Sequence, residues 1–393
     1  MKNYGIVHGG IEQAVPLVVG KDTVYVHTNI TKLEADPNDE FAPEDLYSYE
    51  EIQYDKDEYI GLISKKNDFF VKKVDENPDY YLKQIQDMLI NKTYFVSDDD
   101  YEMFTKNDKG KIREIYKLDY APHRIIQHAL MIQIEDILKR TLIENTFASL
   151  KDRGIHRALS RLNNDLRKYP DKTKYCLQID IKKFYPTINH EINKQLYRKK
   201  FKDNDLLWLI DLLIDSLGDE EGIAIGSLFS QMNGNFYLSY FDHWIKEEKK
   251  VKFYYRYADD CLFLSDNKED LHELLREIKI YLGSTLKLKV KENHAIYPVD
   301  SRGIDFVGYR HFRNYILLRK STSKKLIRKS RDIEKKISNG GRFTYKDYCS
   351  VNSYNGWIKW CDGHNLYERW VEPNEIYADQ YYDDDIRKRQ GQK

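Results

Sequence analysis

Apolar and polar positions along the chain recur with two periods, that of a helix and that of a strand. Helical spacing occurs in the segments YLKQIQDMLI, HRIIQHALMIQIEDILKRTLI, HRALSRLNNDLRKY, DLLWLIDLLIDSL and KEDLHELLREIKIYL. Runs typical of strands occur in YCLQIDI, KFYYRY, CLFLS, LKLKV, AIYPV and GIDFVGYR. The connection between KFYYRY and CLFLS is so short that these two strands must be antiparallel neighbours. The pattern therefore predicts an α+β fold.

Both ends of the chain contain clusters of acidic residues. Residues 1–65 combine the strand-like runs TVYVHTNI and YSYEEIQYDKDEYIGLI with acidic segments around Pro37 and Pro43. They contain no catalytic motif, so we assign residues 1–65 to an N-terminal extension of unknown role. Residues 371–393 include the tract YADQYYDDD and are predicted to form a charged C-terminal tail.

The formal charge does not at first favour a nucleic-acid partner, because 64 Lys and Arg residues balance 64 Asp and Glu residues. The charges are, however, unevenly distributed. Basic residues dominate from Lys151 to Lys200 and from Arg319 to Lys346, whereas acidic residues gather from Glu34 to Glu58 and near the C-terminal end. A chain with such segregated charge can still present a basic surface to a phosphate backbone.

The four cysteines, at positions 176, 261, 349 and 361, show no CxxC spacing. This spacing argues against a zinc knuckle or a disulfide framework and fits a reducing cytosol. No export signal and no apolar stretch of roughly 20 residues is recognisable, so neither secretion nor membrane insertion is predicted. We therefore expect a soluble protein of the cytoplasm.

Three aspartates occupy positions suited to phosphoryl transfer. Asp180 ends the strand YCLQIDI, and Asp259 and Asp260 lie between KFYYRY and CLFLS, where only a tight turn fits. If these strands pair, the carboxylates converge and can hold two metal ions about 3.5–4 Å apart. An Asp-Asp pair by itself is most often a solvated turn. Here apolar and aromatic runs flank the pair on both sides, which indicates a hairpin attached to the core.

Tyr257-Ala258-Asp259-Asp260 resembles the YxDD box of reverse transcriptases, and four further segments resemble motifs of that family in the family's order. They are the finger hairpin GKIREI, the metal-binding motif Asp180-Ile181-Lys182-Lys183-Phe184-Tyr185, the loop Ile225-Gly226-Ser227-Leu228-Phe229-Ser230-Gln231 and the segment Gly303-Ile304-Asp305-Phe306-Val307-Gly308-Tyr309. The resemblance implies a right-hand polymerase fold. Fingers and palm, with an antiparallel palm sheet, would occupy residues 66–320, and a helical thumb would occupy residues 321–370.

The resemblance also implies a set of site residues and a cofactor. Asp180, Asp259 and Asp260 would be catalytic and, with the backbone of Ile181, would bind Mg²⁺ or Mn²⁺. The implied nucleotide-binding residues are Lys111, Arg113, Tyr185, Gly226, Gln231 and Lys291, and the implied primer grip is Phe306, Gly308 and Tyr309.

The polar members of this set have distinct expected roles and simpler alternatives. Lys111 and Arg113 would neutralise the incoming triphosphate, although a solvated strand face also explains them. Gln231 would reach the template. Lys291 would correspond to the lysine that protonates pyrophosphate; a surface lysine is the alternative, and His294 competes for the same role.

Tyr185 and Gly226 are expected to act through their shape. Tyr185 occupies the aromatic position that would lie under the sugar and exclude a 2′-hydroxyl, and its alternative is an ordinary core tyrosine. Gly226 has no Cβ and would therefore let the backbone approach the base or sugar closely.

The loop at residues 225–231 reads Ile-Gly-x-x-x-Ser-Gln, where retroviral and many intron-encoded enzymes have Gln-Gly-x-x-x-Ser-Pro. This form, together with FASLKDRGIHRAL, RGIDFVGYR and SYNGWIKW, is similar to bacterial reverse transcriptases of diversity-generating retroelements and of the unknown-group branch, several of which protect bacteria from phage. Ala224 departs from the proline that is usual there. Diversity-generating enzymes are strongly basic, so a neutral chain with acidic ends favours the defence-associated branch.

The expected function is RNA-directed DNA synthesis in anti-phage defence. One alternative is a diversity-generating enzyme that makes mutagenic cDNA, and another is a template-independent nucleotidyl transferase on the same palm. An inactive scaffold is disfavoured because all three aspartates are present. The expected partners are a template RNA such as a cognate non-coding RNA, the DNA product, deoxynucleoside triphosphates, and an accessory protein or a second copy of the chain.

Overall fold

The structure, a computed structural model, describes residues 3–4, 15–19, 23–33, 46–55, 69–108, 111–218 and 220–389. The chain divides into two compact units, Met1–Glu102 with Lys117–Ala129 and Met103–Tyr116 with Leu130–Lys393. Helices are combined with antiparallel sheets, which confirms the predicted α+β class. Within the described ranges, no helix has the length and apolar character needed to span a membrane.

The first unit contains a four-stranded antiparallel sheet and two helices. Its strands pair in chain order: β1 (Asn3–Tyr4), β2 (Val15–Val19), β3 (Thr23–Leu33) and β4 (Leu46–Asp55). The helices are α1 (Phe69–Glu76) and α2 (Pro78–Ile90). Pro78 opens α2, where its missing N–H leaves no donor unpaired. The predicted strand runs TVYVHTNI and YSYEEIQYD are present in β3 and β4.

A two-stranded sheet and two helices come next in the chain. The sheet pairs β5 (Glu102–Asp108) with β6 (Lys111–Lys117); Lys109 and Gly110, between these strands, lie outside the described residues. A π-helical turn leads into α3 (Ile125–Arg140), and α4 (Gly154–Lys168) follows. Helix α4 buries one face at helical spacing, consisting of Ala158, Leu159, Leu162, Asn163 and Leu166.

The main sheet of the second unit has four antiparallel strands. They are β7 (Tyr175–Asp180), β8 (Phe253–Tyr257), β9 (Asp260–Ser265) and β10 (Ala295–Pro298), in the order β10-β7-β9-β8. The α-helices described between these strands in the chain are α5 (His190–Lys200), α6 (Asn204–Ile214), α7 (Leu228–Tyr237), α8 (Ser239–His243) and α9 (Lys268–Thr285). The segment LKLKV is not the strand predicted from its alternation, because it forms only a single bridge, Val290 to Ile181.

The core beneath this sheet is formed by residues distant in the chain. Leu162 and Leu166 of α4 pack with Cys176, Tyr255 and Leu262 from the sheet. After helix α10 (Val299–Arg302), a three-stranded antiparallel sheet of β11 (Ile304–Phe306), β12 (Tyr309–His311) and β13 (Ile316–Leu318) contributes Phe306 to the same core.

The last part of the second unit is helical. It consists of α11 (Lys320–Ser338), α12 (Tyr345–Ile358), α13 (His364–Trp370) and α14 (Glu372–Arg389). Buried Asp347 on α12 accepts hydrogen bonds of 2.7 Å from both Lys329 and Lys336 of α11. These two contacts lower the pKa of Asp347, opposing its burial, so the carboxylate stays charged and joins the two helices.

The prediction of a tail from residue 371 onward is corrected by α14. Val371 and Ala378 are buried among the apolar residues of α11 and α12, and Glu375 accepts a hydrogen bond from Asn355 of α12. Val371 directly follows α13 and Ala378 lies in α14, and both pack into the same apolar cluster. The helical region therefore continues to Arg389 rather than ending at residue 370.

Candidate active site

The hairpin between β8 and β9 carries two of the predicted aspartates, Asp259 in its tight turn and Asp260 as the first residue of β9. Tyr257 pairs with Asp260, so only Ala258 and Asp259 form the turn. Ala258 has a φ angle of 54°, in the left-handed region that costs a non-glycine residue about 1 kcal/mol. Its carbonyl accepts a 3.1 Å hydrogen bond from Arg256 Nη1. A side chain of the same strand therefore holds this strained turn from behind.

The register of the main sheet brings the third aspartate to the same turn. Strand β7 pairs with β9 so that Asp180 lies opposite Asp260. The Ile181 amide donates to the Asp259 carbonyl at 3.3 Å, and the carboxyl of Asp259 interacts directly with that of Asp180. The structure thus brings together the three aspartates predicted to be catalytic.

The pKa values of both turn carboxyls reflect this concentration of negative charge. Burial, followed by the charge of Asp180, raises the pKa of Asp259 to about 6. Burial also raises the pKa of Asp260 to about 7; a hydrogen bond from Gln178 opposes this shift, and the charges of Asp180 and Asp259 add to it. A cation held between these carboxyls would relieve their repulsion.

Two neighbouring side chains already contact the carboxylates. Lys291 Nζ pairs with Asp180 Oδ1, and Gln178 Nε2 donates to Asp260 Oδ1 at 3.4 Å. Across the part of the chain that the structure describes, no three His, Cys, Asp or Glu side chains form a metal-ligand cluster. The donor set still suits a hard divalent cation, since Mg²⁺ and Mn²⁺ prefer carboxylate oxygens.

The two predicted candidates for the pyrophosphate-protonating residue lie in one turn next to β7. The Lys291 amide donates to the Asp180 carbonyl at 2.8 Å, and His294 Nδ1 donates to the Lys291 carbonyl at 2.9 Å. Of the two side chains, Lys291 is the one that contacts Asp180, which is predicted to be catalytic. Ile181, predicted to ligate metal through its backbone, is fully buried at the end of β7, and its ligand role stays a prediction.

Comparison with known proteins adds an independent observation to this geometry. Residues 104–311, more than half of the chain, match the family model described as reverse transcriptase (RNA-dependent DNA polymerase). The chain belongs to the reverse transcriptase family. This membership confirms the right-hand polymerase fold. The family consists of RNA-directed DNA polymerases, a class of nucleotidyltransferase. No curated protein matches the chain.

Several solved telomerase structures are similar to the chain. Apo telomerase from Candida tropicalis, truncated from its C-terminal domain, is 13% identical with a TM-score of 0.43, covering 56% of this chain and 55% of that one. Candida albicans telomerase with a TWJ fragment of telomeric RNA is 13% identical with a TM-score of 0.41, covering 58% and 50%. Candida tropicalis telomerase with a TWJ fragment is 12% identical with a TM-score of 0.45, covering 79% and 58%. This reverse transcriptase thus spans little more than half the length of these telomerases.

Gly226, in the predicted nucleotide loop, has no room for a side chain beside β6. Its φ angle is 138°, and a Cβ there would lie 2.8 Å from the Tyr116 carbonyl oxygen. The neighbouring Ile225 carbonyl accepts a 3.0 Å hydrogen bond from the Tyr116 amide. The close approach that excludes a side chain in this structure is to the backbone of β6, and the approach to a base or sugar stays a prediction. Through this contact the loop at residues 225–231 joins the hairpin of β5 and β6.

The other residues predicted to bind nucleotide or template are Gln231, Lys111 and Arg113. Gln231 is exposed in the first turn of α7, a helix that Ser227 caps by accepting a 3.0 Å hydrogen bond from the Ser230 amide. Lys111 and Arg113 lie on β6, but their side chains are outside the described residues. The roles of all three in nucleotide or template binding stay predictions.

Tyr185 is half-buried, and a glycine on a facing helix makes room for it. A Cβ at Gly234 of α7 would lie 3.1 Å from Tyr185 Cε1 and 3.2 Å from a ring carbon of Phe184. Periodicity along α7 gives no sign of this requirement, because the two segments are far apart in the chain. The ring is thus neither a plain core residue nor fully exposed, and its role as a sugar gate stays a prediction.

The residues predicted to form the primer grip are buried, and their role in primer binding stays a prediction. Phe306 and Tyr309 are fully buried, and Tyr309 Oη donates to the Trp357 carbonyl at 2.9 Å. Gly308 has a φ angle of 92° in the turn between β11 and β12, and its carbonyl accepts from the Arg319 amide at 3.0 Å. A contribution of this segment to primer binding would therefore come from the backbone of the turn.

Polar residues missed by the sequence analysis form contacts behind the aspartates. Gln178, which donates to Asp260, also donates to the Asp305 carbonyl at 2.9 Å and accepts from Tyr297 Oη at 3.2 Å. The Asp305 carboxylate accepts a 2.6 Å hydrogen bond from Arg319 Nε. One signal in the sequence could have identified these residues: a polar or charged residue within an apolar strand run, such as Gln178 in YCLQIDI and Arg256 in KFYYRY. A polar residue in such a run is expected to have hydrogen-bond partners, because polar groups are buried only with partners.

Proposed function

We propose that this chain is an RNA-directed DNA polymerase that uses two divalent metal ions, Mg²⁺ or Mn²⁺. The observation that carries the proposal is the convergence of Asp180, Asp259 and Asp260, with the pKa of both turn carboxyls raised. These carboxylates and the Ile181 carbonyl would hold the ions. When bound, the ions would activate the primer hydroxyl and neutralise the charge of the leaving pyrophosphate.

Other residues of the chain would position the substrates. Lys291 would release Asp180 when that carboxylate binds a cation, and its ammonium would then donate a proton to the departing pyrophosphate. Tyr185, whose ring packs against Gly234, would lie under the sugar and exclude ribonucleotides. Gln231, exposed at the start of α7, would contact the template.

Helix α11 would contact the backbone of the template–product duplex. Lys324, Lys325 and Arg328 are exposed on this helix, whereas Lys329 and Lys336 are engaged by Asp347. Cations of this kind position a duplex through its phosphates without reading its sequence. Template RNA, DNA product and deoxynucleoside triphosphates are therefore the proposed ligands, in the cytoplasm, with an accessory protein or second copy as a further partner.

Template dependence separates the polymerase from a template-independent nucleotidyl transferase on the same palm. With a heteropolymeric RNA template, a DNA primer and Mg²⁺, we expect a full-length product whose sequence is complementary to the RNA. The comparison is the same reaction with RNA omitted and one deoxynucleotide supplied. Homopolymer synthesis in that reaction, with no dependence on RNA, would establish the transferase instead.

We further propose that the polymerase acts in anti-phage defence rather than in a diversity-generating retroelement. The support is compositional: the net charge is zero, and the chain carries acidic segments at both ends where a retroelement enzyme would be strongly basic. Such segments would restrain activity or bind an accessory partner.

Replacing both turn aspartates, Asp259→Asn with Asp260→Asn, should abolish phage protection without changing protein abundance. Asparagine keeps the side-chain size and removes the charge that holds metal, so a loss would report chemistry rather than misfolding. The measurement is plaque counting over a broad phage panel, with cells carrying the native locus beside cells carrying the variant. Equal plaque counts throughout would contradict the defence proposal, and adenine-directed substitutions in a nearby repeat would favour the retroelement alternative.

A further inference from the structure

A buried arginine lies directly behind the turn that carries Asp259. Arg256, on β8, is fully buried, and so is its partner Asp242 on α8. Arg256 Nε donates to both carboxylate oxygens of Asp242, at 2.8 and 3.0 Å, and Nη2 donates to Oδ2 at 2.6 Å. Burying a charge costs several kcal/mol unless the ion is paired with good geometry, and this pair meets that condition.

The other N–H groups of Arg256 donate to α7 and to the turn at Ala258. Nη1 donates to Asn235 Oδ1 at 3.2 Å and Nη2 to the Asn235 carbonyl at 3.1 Å, on α7. Asp242 also accepts from Tyr254 Oη at 2.6 Å and from Thr146 Oγ1 at 3.1 Å. The network is therefore saturated on the core side. Arg256 Nη1 also donates a 3.1 Å hydrogen bond to the Ala258 carbonyl, and this contact connects the network to the turn.

That contact fixes one of the two peptide groups adjoining Asp259. The Ala258 carbonyl belongs to the peptide that precedes Asp259, and Arg256 holds it. The Asp259 carbonyl belongs to the peptide that follows, and the Ile181 amide holds it at 3.3 Å. With both peptides held, the Cα–Cβ bond of Asp259 has one direction, toward Asp180. Ala258 would otherwise leave its left-handed conformation, which persists only where the surroundings impose it.

We propose that Arg256 is a positioning residue of the metal site. Through Nη1 it holds the Ala258 turn in the left-handed conformation and so keeps the Asp259 carboxylate beside Asp180, while Asp242 anchors the guanidinium. Arg256 itself touches neither substrate nor metal. This inference rests on the proposed polymerase activity for its functional consequence, although the geometry it assigns can be tested without that activity.

The variant that tests this role is Arg256→Lys. Lysine keeps a positive charge against Asp242, but its single ammonium lacks the fork that reaches the carboxylate and the Ala258 carbonyl together. The matched control is Arg313→Lys. Arg313 is also largely buried and donates from Nε to Asp300 at 2.7 Å and from Nη2 to the Thr173 carbonyl at 3.1 Å, remote from the turn in sequence and contacts.

Three measurements are made on the full chain for wild type and both variants: hydrogen exchange in the peptide containing Ile181, Mn²⁺ affinity, and primer extension. In Arg256→Lys we expect faster exchange of the Ile181 amide and Mn²⁺ binding about tenfold to a hundredfold weaker, as for residues that orient metal ligands. Primer extension should fall with Mn²⁺ affinity and recover partly at high Mn²⁺. Arg313→Lys should leave both Ile181 exchange and Mn²⁺ affinity at wild-type values.

Unchanged Ile181 exchange and Mn²⁺ affinity in Arg256→Lys would overturn the positioning role. If Arg256→Lys does not fold, the double variant Arg256→Gln with Asp242→Asn removes both charges together, leaves no unpaired buried ion and is judged by the same two outcomes. Absence of primer extension in the wild type, with the exchange difference intact, would overturn the proposed polymerase function and leave the positioning role standing.

Discussion

Replacement of Asp259 by asparagine is expected to reduce primer extension on an RNA template on the order of 10³-fold, because the turn loses a charged ligand worth several kcal/mol in the transition state. The measurement is single-turnover extension of a DNA primer with Mg²⁺. Asp266→Asn is the matched control. Asp266 directly follows β9 at the end opposite Asp260 and pairs with Lys172 at 2.8 Å, so its loss should leave extension near the wild-type rate.

The same variant should not lose stability, and its pH dependence shows why. The pKa of Asp259 in the folded protein is about 6, raised by burial and by Asp180 above the ordinary value of about 3.9. For a carboxyl with a raised pKa, stability is greatest below the ordinary pKa and falls as pH rises through the folded value.

Asparagine at position 259 cannot ionise, so the variant does not lose stability in this way as the pH rises. With EDTA present, Asp259→Asn should be more stable than wild type at pH 7.5, by on the order of 1–2 kcal/mol, and the difference should vanish near pH 4. Denaturant titrations at the two pH values measure it. A variant that is less stable than wild type at pH 7.5, or that still extends primer at the wild-type rate, would contradict the assignment of this carboxylate to the metal site.

Gly308→Ala is expected to lower the free energy of unfolding by about 3 kcal/mol or more, because it adds steric overlap to backbone strain. A Cβ at this position would lie 2.4 and 2.7 Å from two ring carbons of Trp357. The φ angle of 92° is also one that alanine rarely adopts. Trp357 packs among apolar residues of α11 to α14 and has little room to move. Equilibrium denaturation of the full chain measures the loss.

Gly283→Ala provides the control for this substitution. Gly283 lies in α9, and a Cβ there would meet nothing within 4 Å. Alanine should raise the free energy of unfolding by about 0.5–1 kcal/mol, since it is the better helix former. Equal effects at positions 283 and 308 would show that the contact with Trp357 does not constrain the turn between β11 and β12.

The three aspartates could be predicted from the sequence because their placement depends on local rules. YCLQIDI and the paired runs KFYYRY and CLFLS have strand character, and the connection between the paired runs is too short for anything except a turn. A turn that carries Asp259 and Asp260 must therefore project from a sheet, and one neighbouring strand suffices to add Asp180. The α+β class follows from the same periodicities, because they depend on residues close together in the chain.

The reasons for the other residues at the site arise from contacts between distant segments, which periodicity does not encode. Gly226 is required by the backbone of β6 more than a hundred positions earlier, and Phe306 completes a core begun by α4. Asp242 and Arg256 read as isolated charges in apolar runs until α8 packs behind β8 and each becomes the other's counter-ion.

Local patterns therefore identified the three aspartates, whereas packing decided which polar groups contact them and hold their backbone. The physical reason is the cost of burial. A buried polar group is tolerated only when it has a hydrogen-bond or ionic partner. Here the partners come from segments that are distant in the chain and meet only in the folded structure.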